Sequence, residues 1–273
     1  MPFATLPYPA IDPIAVRIGP LQVHWYGLAY LAGFVAAFAI VRWLARRWEI
    51  GLTDDDLLSM TLAAVIGVIV GGRLGYVIMY GGRTYLTHPA QILAIWDGGM
   101  SFHGGLTGIL VAAAVVSRLM NIPWLTLCDL GAAAAPVGLF FGRLANFING
   151  ELWGRVTSVQ WAMVFPGAGP LPRHPSQLYE AALEGIVLFA VLISIATRRP
   201  PVVRGVVLGW FLTLYGVFRI LVEFFRQPDV QIGFLPGGVT MGQLLSVPLV
   251  AVGIALLLRA RGRGLPQRGR AED

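Results

Sequence analysis

Seven stretches of about 20 mostly apolar residues dominate this chain, and each is long enough to cross a bilayer as a helix. Backbone polar groups find no water in hydrocarbon, so spanning segments are restricted to helices or closed barrels. Only 12% of the residues are charged, about half the share in a soluble domain. The sequence therefore predicts an all-α integral membrane protein with seven transmembrane helices. The predicted spans are 23–44, 57–80, 101–119, 124–145, 177–197, 205–225 and 238–259.

The distribution of arginine orients the predicted bundle. All 20 basic residues are arginine, and 12 of them fall after spans one, three and five or in the C-terminal tail. Excess basic residues mark the cytoplasmic side, so we expect a periplasmic N-terminus, a cytoplasmic C-terminus and small periplasmic linking segments. The predicted organisation is one transmembrane domain over 1–260, with a periplasmic head segment at 146–176, and an arginine-rich cytoplasmic tail at 261–273. This topology explains the formal charge of +6 without a nucleic-acid partner.

Ionisable residues inside the predicted spans are the second strong signal. Each costs about 2.5–3.5 kcal/mol on insertion scales and is functional by default. Arg73, Arg143 and Arg219 lie roughly 24, 28 and 21 Å from the cytoplasmic ends of their predicted helices. We expect them to share one level in the outer half of the bilayer with other polar side chains. These are Glu223, one turn beyond Arg219, and His24, Tyr26 and His103, at the outer ends of spans running the other way.

Structural explanations stay open for several of these residues. Arg219 and Glu223 are four apart on a helix, so they could simply neutralise each other. Tyr26 could be an ordinary interfacial aromatic residue, and the side chain of Arg73 could extend to the lipid headgroups. Asp129 lies near the cytoplasmic end of span four, and we place it outside the site.

The densest polar segment is 142–154, which reads Gly-Arg-Leu-Ala-Asn-Phe-Ile-Asn-Gly-Glu-Leu-Trp-Gly. Arg143 and Asn146 are three apart and therefore share a helix face. Asn149 and Glu151 follow where span four ends, and they could cap its free backbone groups. Alternatively, Arg143 could bind a phosphate in a bidentate way while the amides position it. The number of polar groups favours an anion-binding role over capping alone.

This segment resembles the signature of the prolipoprotein diacylglyceryl transferase family. The resemblance covers about residues 20 to 250 and follows the order of the family. The matching signature residues are Gly142, Arg143, Asn146, Phe147, Asn149, Glu151 and Gly154. The other similar stretches are 24–27, 96–105, 174–180, 219–226 and 233–243.

The resemblance implies a specific reaction. Members of the family transfer the diacylglyceryl group of phosphatidylglycerol to the lipobox cysteine thiol of a prolipoprotein signal peptide. A thioether forms and sn-glycerol 1-phosphate is released, as the first step of bacterial lipoprotein maturation. The implied partners are these two substrates and membrane lipid, with no nucleic acid. The implied location is the bacterial inner membrane, with the active site toward the periplasm, and we expect no metal and no cofactor.

Residue types suggest how the site divides this chemistry. A thiol must become a thiolate to attack carbon, and His103 could take that proton near neutral pH. Arginines can stabilise the charge of a departing phosphate. The expected catalytic residues are His103, Arg143, Arg219 and Tyr26. The expected phosphatidylglycerol-binding residues, most of them implied by the resemblance, are Arg143, Asn146, Glu151, Gly154, Glu223 and His24.

Within that set, Tyr26 and Asn146 are interpreted as residues that position the headgroup. Glu151 and Glu223 are expected to orient the arginines.

A transporter for an anionic lipid or metabolite is the competing hypothesis. Transporters usually bind substrate near the midplane of the bilayer and contain structural repeats. The ionisable residues of this chain are predicted to lie off-centre, and no internal repeat is visible in the sequence. Both observations favour an enzyme.

Overall fold

Apolar helices make up most of the protein. The computed structural model describes residues 6–80, 82, 84–198, 202–228, 233–263 and 267. Its strands are β1 (Ile14–Ile18) and β2 (Leu21–His24). Its α-helices are α1 (Trp25–Arg47), α2 (Asp54–Tyr80), α3 (Thr84–Thr87), α4 (Phe102–Leu119), α5 (Trp124–Ile148), α6 (Ser176–Glu180), α7 (Leu188–Ala196), α8 (Val206–Glu223) and α9 (Met241–Arg263). A π-helical segment (Ala181–Val187) joins α6 to α7, and 3-10 turns lie at Pro89–Leu93, Ile95–Asp97 and Pro236–Gly238.

Contacts between residues divide the chain into two compact units. The first consists of Met1–Val41 and Asp129–Pro266. The second consists of Arg42–Cys128 and Gln267–Asp273. The dense polar segment of the sequence belongs to the first unit, and His103 belongs to the second.

All seven predicted apolar segments are helical at the predicted places. Within the described part of the chain, six helices are long and apolar enough to cross a membrane. The apolar part of the seventh, His103–Leu119, is shorter. The structure is therefore consistent with an all-α membrane protein, and the count of seven spans stays a prediction. The six are Trp25–Arg47, Asp54–Tyr80, Trp124–Ile148, Ser176–Ala196, Val206–Glu223 and Met241–Gly262.

A β-hairpin precedes the first helix, where the sequence analysis expected none. Strands β1 and β2 pair antiparallel, with Ile14 opposite His24 and Ile18 opposite Leu21. Gly19, at φ 59°, makes the turn, a conformation that glycine adopts without steric cost. His24 was predicted to open span one, but it ends β2 as an exposed strand residue. The helix itself starts at Trp25.

Asp129 has a structural role, which fits its exclusion from the predicted site. Its carboxylate accepts hydrogen bonds from the backbone N–H groups of Gly205 (2.6 Å) and Leu208 (2.7 Å). Gly205 precedes helix α8 in a left-handed conformation. A carboxylate satisfies free N–H groups at a helix N-terminus and complements the helix dipole. Asp129 therefore caps α8.

Close backbone contact between α2 and α4 explains the glycines of the second unit. A Cβ on Gly75 would lie 2.6 Å from the Cα of Gly104, and one on Gly71 would lie 2.7 Å from the Cα of Gly108. Small residues at four-residue intervals let helices in a membrane approach closely. Gly104 and Gly108 of the third predicted span are thus packing residues.

Arg73, also in the second unit, is buried rather than extended toward headgroups. Its guanidinium donates to the carbonyls of Gln91 (2.6 Å), Ile92 (2.9 Å), Gly98 (2.5 Å) and Gly99 (3.1 Å). These bonds hold the link that leads into α4. Arg73 therefore stabilises the backbone just before His103.

The predicted cytoplasmic tail is described only in part. Helix α9 continues to Arg263, and Gln267 is the one later residue that the structure describes. Arg199, Arg268 and Arg270, which contributed to the predicted orientation, lie outside the described residues. The orientation and the boundary of the tail stay predictions.

Candidate active site

Four helical segments of the first unit contribute charged residues to one cluster. Arg143 lies on α5, Glu180 ends α6, and Glu184 lies in the π-helical segment. Arg219 and Glu223 lie on α8. Residues four apart share a helix face, so Glu180 and Glu184 point the same way, as do Arg219 and Glu223. The cluster is completed by Arg226, just after α8.

The carboxylate of Glu180 is the centre of this cluster. One oxygen, Oε2, lies 2.9 Å from Nε of Arg143. The other, Oε1, accepts from Nη1 of Arg226 at 2.9 Å and from Nη1 of Arg219. The side chain of Glu180 is fully buried. One carboxylate thus holds three guanidinium groups, Arg219 and Arg226 by charge-assisted hydrogen bonds and Arg143 by an ion pair.

Glu223 adds a second carboxylate to the cluster. Its Oε1 lies 2.6 Å from Nη2 of Arg219 and 3.9 Å from Nε of Arg226. A Cβ on Gly242, at the start of α9, would lie 2.5 Å from the same oxygen. Glycine at that position therefore leaves room for the ion pair. A single contact with Glu223 can therefore both neutralise Arg219 and orient its guanidinium group.

Two arginines of the cluster remain accessible. The side chains of Arg143 and Arg219 are 17% and 15% exposed, whereas Glu180 and Glu184 are at 0%. Each guanidinium has five N–H donors in a planar fork that matches phosphate geometry. The carboxylates thus hold the arginines from the buried side and leave other N–H groups for an anion. Three arginines and three glutamates make the cluster formally neutral.

The amides of the dense segment meet Glu151 rather than the arginines. Nδ2 of Asn146 donates to Oε1 of Glu151 at 2.8 Å, and Nδ2 of Asn149 lies 3.5 Å from the same oxygen. Gln177 binds the backbone carbonyl of Glu151 at 2.6 Å. The structure brings Asn146 and Glu151 together, a contact that the sequence did not predict. The expectation that Glu151 orients an arginine stays a prediction.

Tyr26 reaches this region through a neighbour. Its ring packs against that of Tyr30, with centroids 5.1 Å apart. Tyr30 in turn lies within electrostatic range of Arg143 and Glu151. The start of α1 is therefore near the cluster, and Tyr26 is half-buried there.

Gly154 is placed by packing. Its N–H donates to the carbonyl of His174 at 2.9 Å. An added Cβ would lie 2.6 Å from Cβ of His174 and 2.6 Å from the carbonyl oxygen of Phe225. Burial lowers the pKa of His174, which favours the neutral imidazole, and its Nδ1 lies 3.0 Å from the hydroxyl of Tyr179. Gly154 thus fits the link 149–175 against the end of α8.

The two predicted site histidines are both exposed. His103 is exposed in the first turn of α4, where Ser101 caps the helix by accepting from the N–H of Gly104 at 3.2 Å. His24 is exposed at the end of β2. The predicted meeting of His103 with the arginines stays a prediction.

Glu180 and Glu184 were missed as site residues, although the sequence carried the signal. Both lie inside the fifth predicted span, 177–197, where an ionisable residue is costly and functional by default. The same rule had identified Arg143 and Arg219. Applied to span five, it would have placed two acidic side chains four residues apart opposite the arginines.

Comparison with known proteins agrees with the resemblance. Residues 13–259 match the family described as prolipoprotein diacylglyceryl transferase. Three relatives carry the name phosphatidylglycerol–prolipoprotein diacylglyceryl transferase. The protein from Geobacter sulfurreducens is 53% identical, over 91% of this chain and 95% of its own. That from Rhodospirillum centenum is 55% identical (93% and 94%), and that from Methylocella silvestris is 53% identical (96% and 98%).

The central position of Glu180 predicts a large loss of stability in Glu180→Gln. The amide keeps the shape but leaves three guanidinium groups, which surround a fully buried position, short of one negative charge. Removing one partner of a buried ion pair costs about 3–5 kcal/mol, so the unfolding temperature in detergent should fall steeply. Asp54→Asn is the matched control, because Asp54 pairs with Arg42 at an exposed site where ion pairs contribute little. Equal shifts in the two variants would contradict the central role of Glu180.

Proposed function

This chain belongs to the prolipoprotein diacylglyceryl transferase family, and on that basis we propose that it transfers the diacylglyceryl group of phosphatidylglycerol to prolipoproteins. The acceptor is the lipobox cysteine thiol of the signal peptide. The observation that carries the proposal is the buried cluster in which Glu180 holds Arg143 and Arg219 with both guanidinium groups partly exposed. Such a pair suits a phosphate that must be bound at the edge of hydrocarbon.

The proposed reaction is a displacement at carbon. The acceptor thiol loses its proton, and the thiolate sulfur attacks the glyceryl carbon that carries the phosphate ester. A C–S bond forms and the C–O bond breaks, with the electron pair staying on the ester oxygen. The products are a thioether and sn-glycerol 1-phosphate. The leaving group gains negative charge as the C–O bond breaks, so cations fixed beside the phosphate favour the transition state over the bound lipid.

Each site residue has a role in this proposal. Arg143 and Arg219 bind the phosphate, and Glu223 orients Arg219 through their 2.6 Å contact. Asn146, held by Glu151 at 2.8 Å, positions the headgroup. Tyr26, whose ring packs against that of Tyr30, is assigned the same role.

Gly154 acts by keeping the link 149–175 close to α8. His24 is assigned a headgroup contact at the membrane surface, where its exposure at the end of β2 leaves it accessible.

The proposed location is the bacterial inner membrane, with all seven apolar helices spanning it. Residues 1–260 form the catalytic domain, 146–176 its periplasmic head segment and 261–273 the cytoplasmic tail. The active site faces the periplasm, because the basic links between spans lie on the other side.

A reporter protein fused after Arg261 should therefore fold on the cytoplasmic side, and one inserted in the link 155–172 should be periplasmic. A phosphatase reporter, active only in the periplasm, distinguishes the two. The reverse pattern of activity would overturn the orientation and put the site on the wrong face.

The direct test of the proposed function is a transfer assay with purified protein. Phosphatidylglycerol labelled in an acyl chain is incubated with a lipobox peptide, and a peptide with serine in place of cysteine is the control. We expect a labelled thioether only with the cysteine peptide, and one sn-glycerol 1-phosphate for each thioether. Movement of intact lipid between leaflets without a thioether would favour the transporter hypothesis instead.

His103 is proposed as the general base, and the pH profile of His103→Gln tests this role. Glutamine keeps some hydrogen bonding but takes up no proton, so activity near neutral pH should fall by about 10²–10⁴. The residual activity should rise with pH as the substrate thiol ionises unaided, near its usual pKa of about 8.5. The parent protein should already be near its plateau there. Parallel profiles for the two proteins would reduce His103 to a binding or shaping residue.

A further inference from the structure

Glu184 is the one carboxylate of the cluster without a close partner. Its nearest ion-pair contacts are 3.6 Å to Nη2 of Arg143 and 3.9 Å to Nη1 of Arg219. Glu180, by contrast, lies 2.9 Å from Arg143. In the described part of the chain, neither oxygen of Glu184 has a hydrogen-bond partner, and the side chain is fully buried. Burying a carboxylate without hydrogen bonds costs free energy, so the presence of Glu184 at this position requires an explanation.

The backbone around Glu184 is unusual as well. It lies in the π-helical segment Ala181–Val187, between two α-helical pieces of one span. π-Helical turns are rare in proteins, and those that occur are often found at functional sites. Gly185 supports the arrangement, because a Cβ there would lie 2.8 Å from Cβ of Phe140 on α5. The π-helical segment therefore packs closely against α5 and holds Glu184 beside the arginines of the cluster.

The proposed reaction makes a particular demand on these arginines. The phosphate of the lipid is a diester with one negative charge. The phosphate of sn-glycerol 1-phosphate is a monoester, which carries a charge of about −1.5 to −2 at neutral pH. Arginines that bind the first will bind the second more tightly. Product must leave before the next lipid binds, and slow release limits the turnover of many enzymes.

We propose that Glu184 is a positioning residue that speeds product release by competing with the product phosphate for Arg143 and Arg219. This proposal rests on the proposed function. Glu184 lies 3.6 Å from Arg143 and 3.9 Å from Arg219, and its negative charge weakens the attraction between these arginines and a phosphate that they bind. The attraction of the more negative monoester is weakened by more than that of the diester, so the carboxylate favours departure of the product. No bond is made or broken in this step.

Glu184→Gln tests the proposal through product inhibition. The amide keeps the size and removes the competing charge, so sn-glycerol 1-phosphate should inhibit the variant at a concentration on the order of tenfold lower. The turnover number should fall, and the KM for phosphatidylglycerol should fall with it, because the lipid phosphate also loses a competitor. Glu49→Gln, the same chemical change at an exposed position, should leave all three values unchanged.

The outcomes separate the inference from the function beneath it. A parent protein that forms no thioether would overturn the proposed function. An active parent and a folded Glu184→Gln variant with the same inhibition constant and KM would overturn only the role of Glu184. A lower turnover number with unchanged inhibition would show a structural role and would also reject the proposal.

Glu184→Asp covers the case in which the glutamine variant does not fold. It keeps the charge but withdraws the carboxylate by one methylene, so product inhibition should strengthen by less than in the glutamine variant. Unchanged inhibition in a folded aspartate variant would then overturn the proposal. Inorganic phosphate should also raise the unfolding temperature of the Glu184→Asp variant by more than that of the parent protein. This measurement needs no turnover.

Discussion

Three guanidinium groups, from α5, α8 and the residue that follows α8 by three positions, converge on the single buried carboxylate of Glu180. In hydrocarbon none of these charges could stand alone, because an unpaired ion is costly there. The shared carboxylate therefore decides where the helices that carry the arginines can pack. It also leaves the side chains of Arg143 and Arg219 partly exposed. Packing of the first unit and the proposed binding of an anion thus depend on the same contact.

Much of the helical arrangement could be predicted from the sequence. The length of the apolar stretches located every long helix, because unpaired backbone polar groups are so costly in a membrane that few structures other than a helix can span it. The rule that ionisable residues in spans are functional found Arg143, Arg219 and Glu223. The same rule covers Glu180 and Glu184, the partners of those arginines in span five, which the prediction left out.

Other features had no signal at the level of single residues. The hairpin of β1 and β2 is short and lies between prolines and the first helix, where period-two patterning over four or five residues is weak. The π-helical segment reflects how α6 and α7 pack in three dimensions, which composition does not encode. The role of Arg73 was also ambiguous in the sequence. Whether a long side chain extends to headgroups or binds backbone carbonyls depends on a link whose path only the structure gives.

Formal neutrality of the cluster bears on how a membrane enzyme could handle phosphate repeatedly. Two arginines without counter-ions would bind an anion tightly at low dielectric, and they would hold a more highly charged product more tightly still. Carboxylates behind the arginines weaken both interactions, and they weaken the interaction with the more negative product by more, because the repulsion grows with its charge. A neutral cluster therefore sacrifices lipid affinity that is of little use in a membrane where the lipid is abundant. In return it narrows the difference between the affinity for the lipid and the affinity for the more negative product. Tight binding of that product would otherwise slow its release and limit turnover.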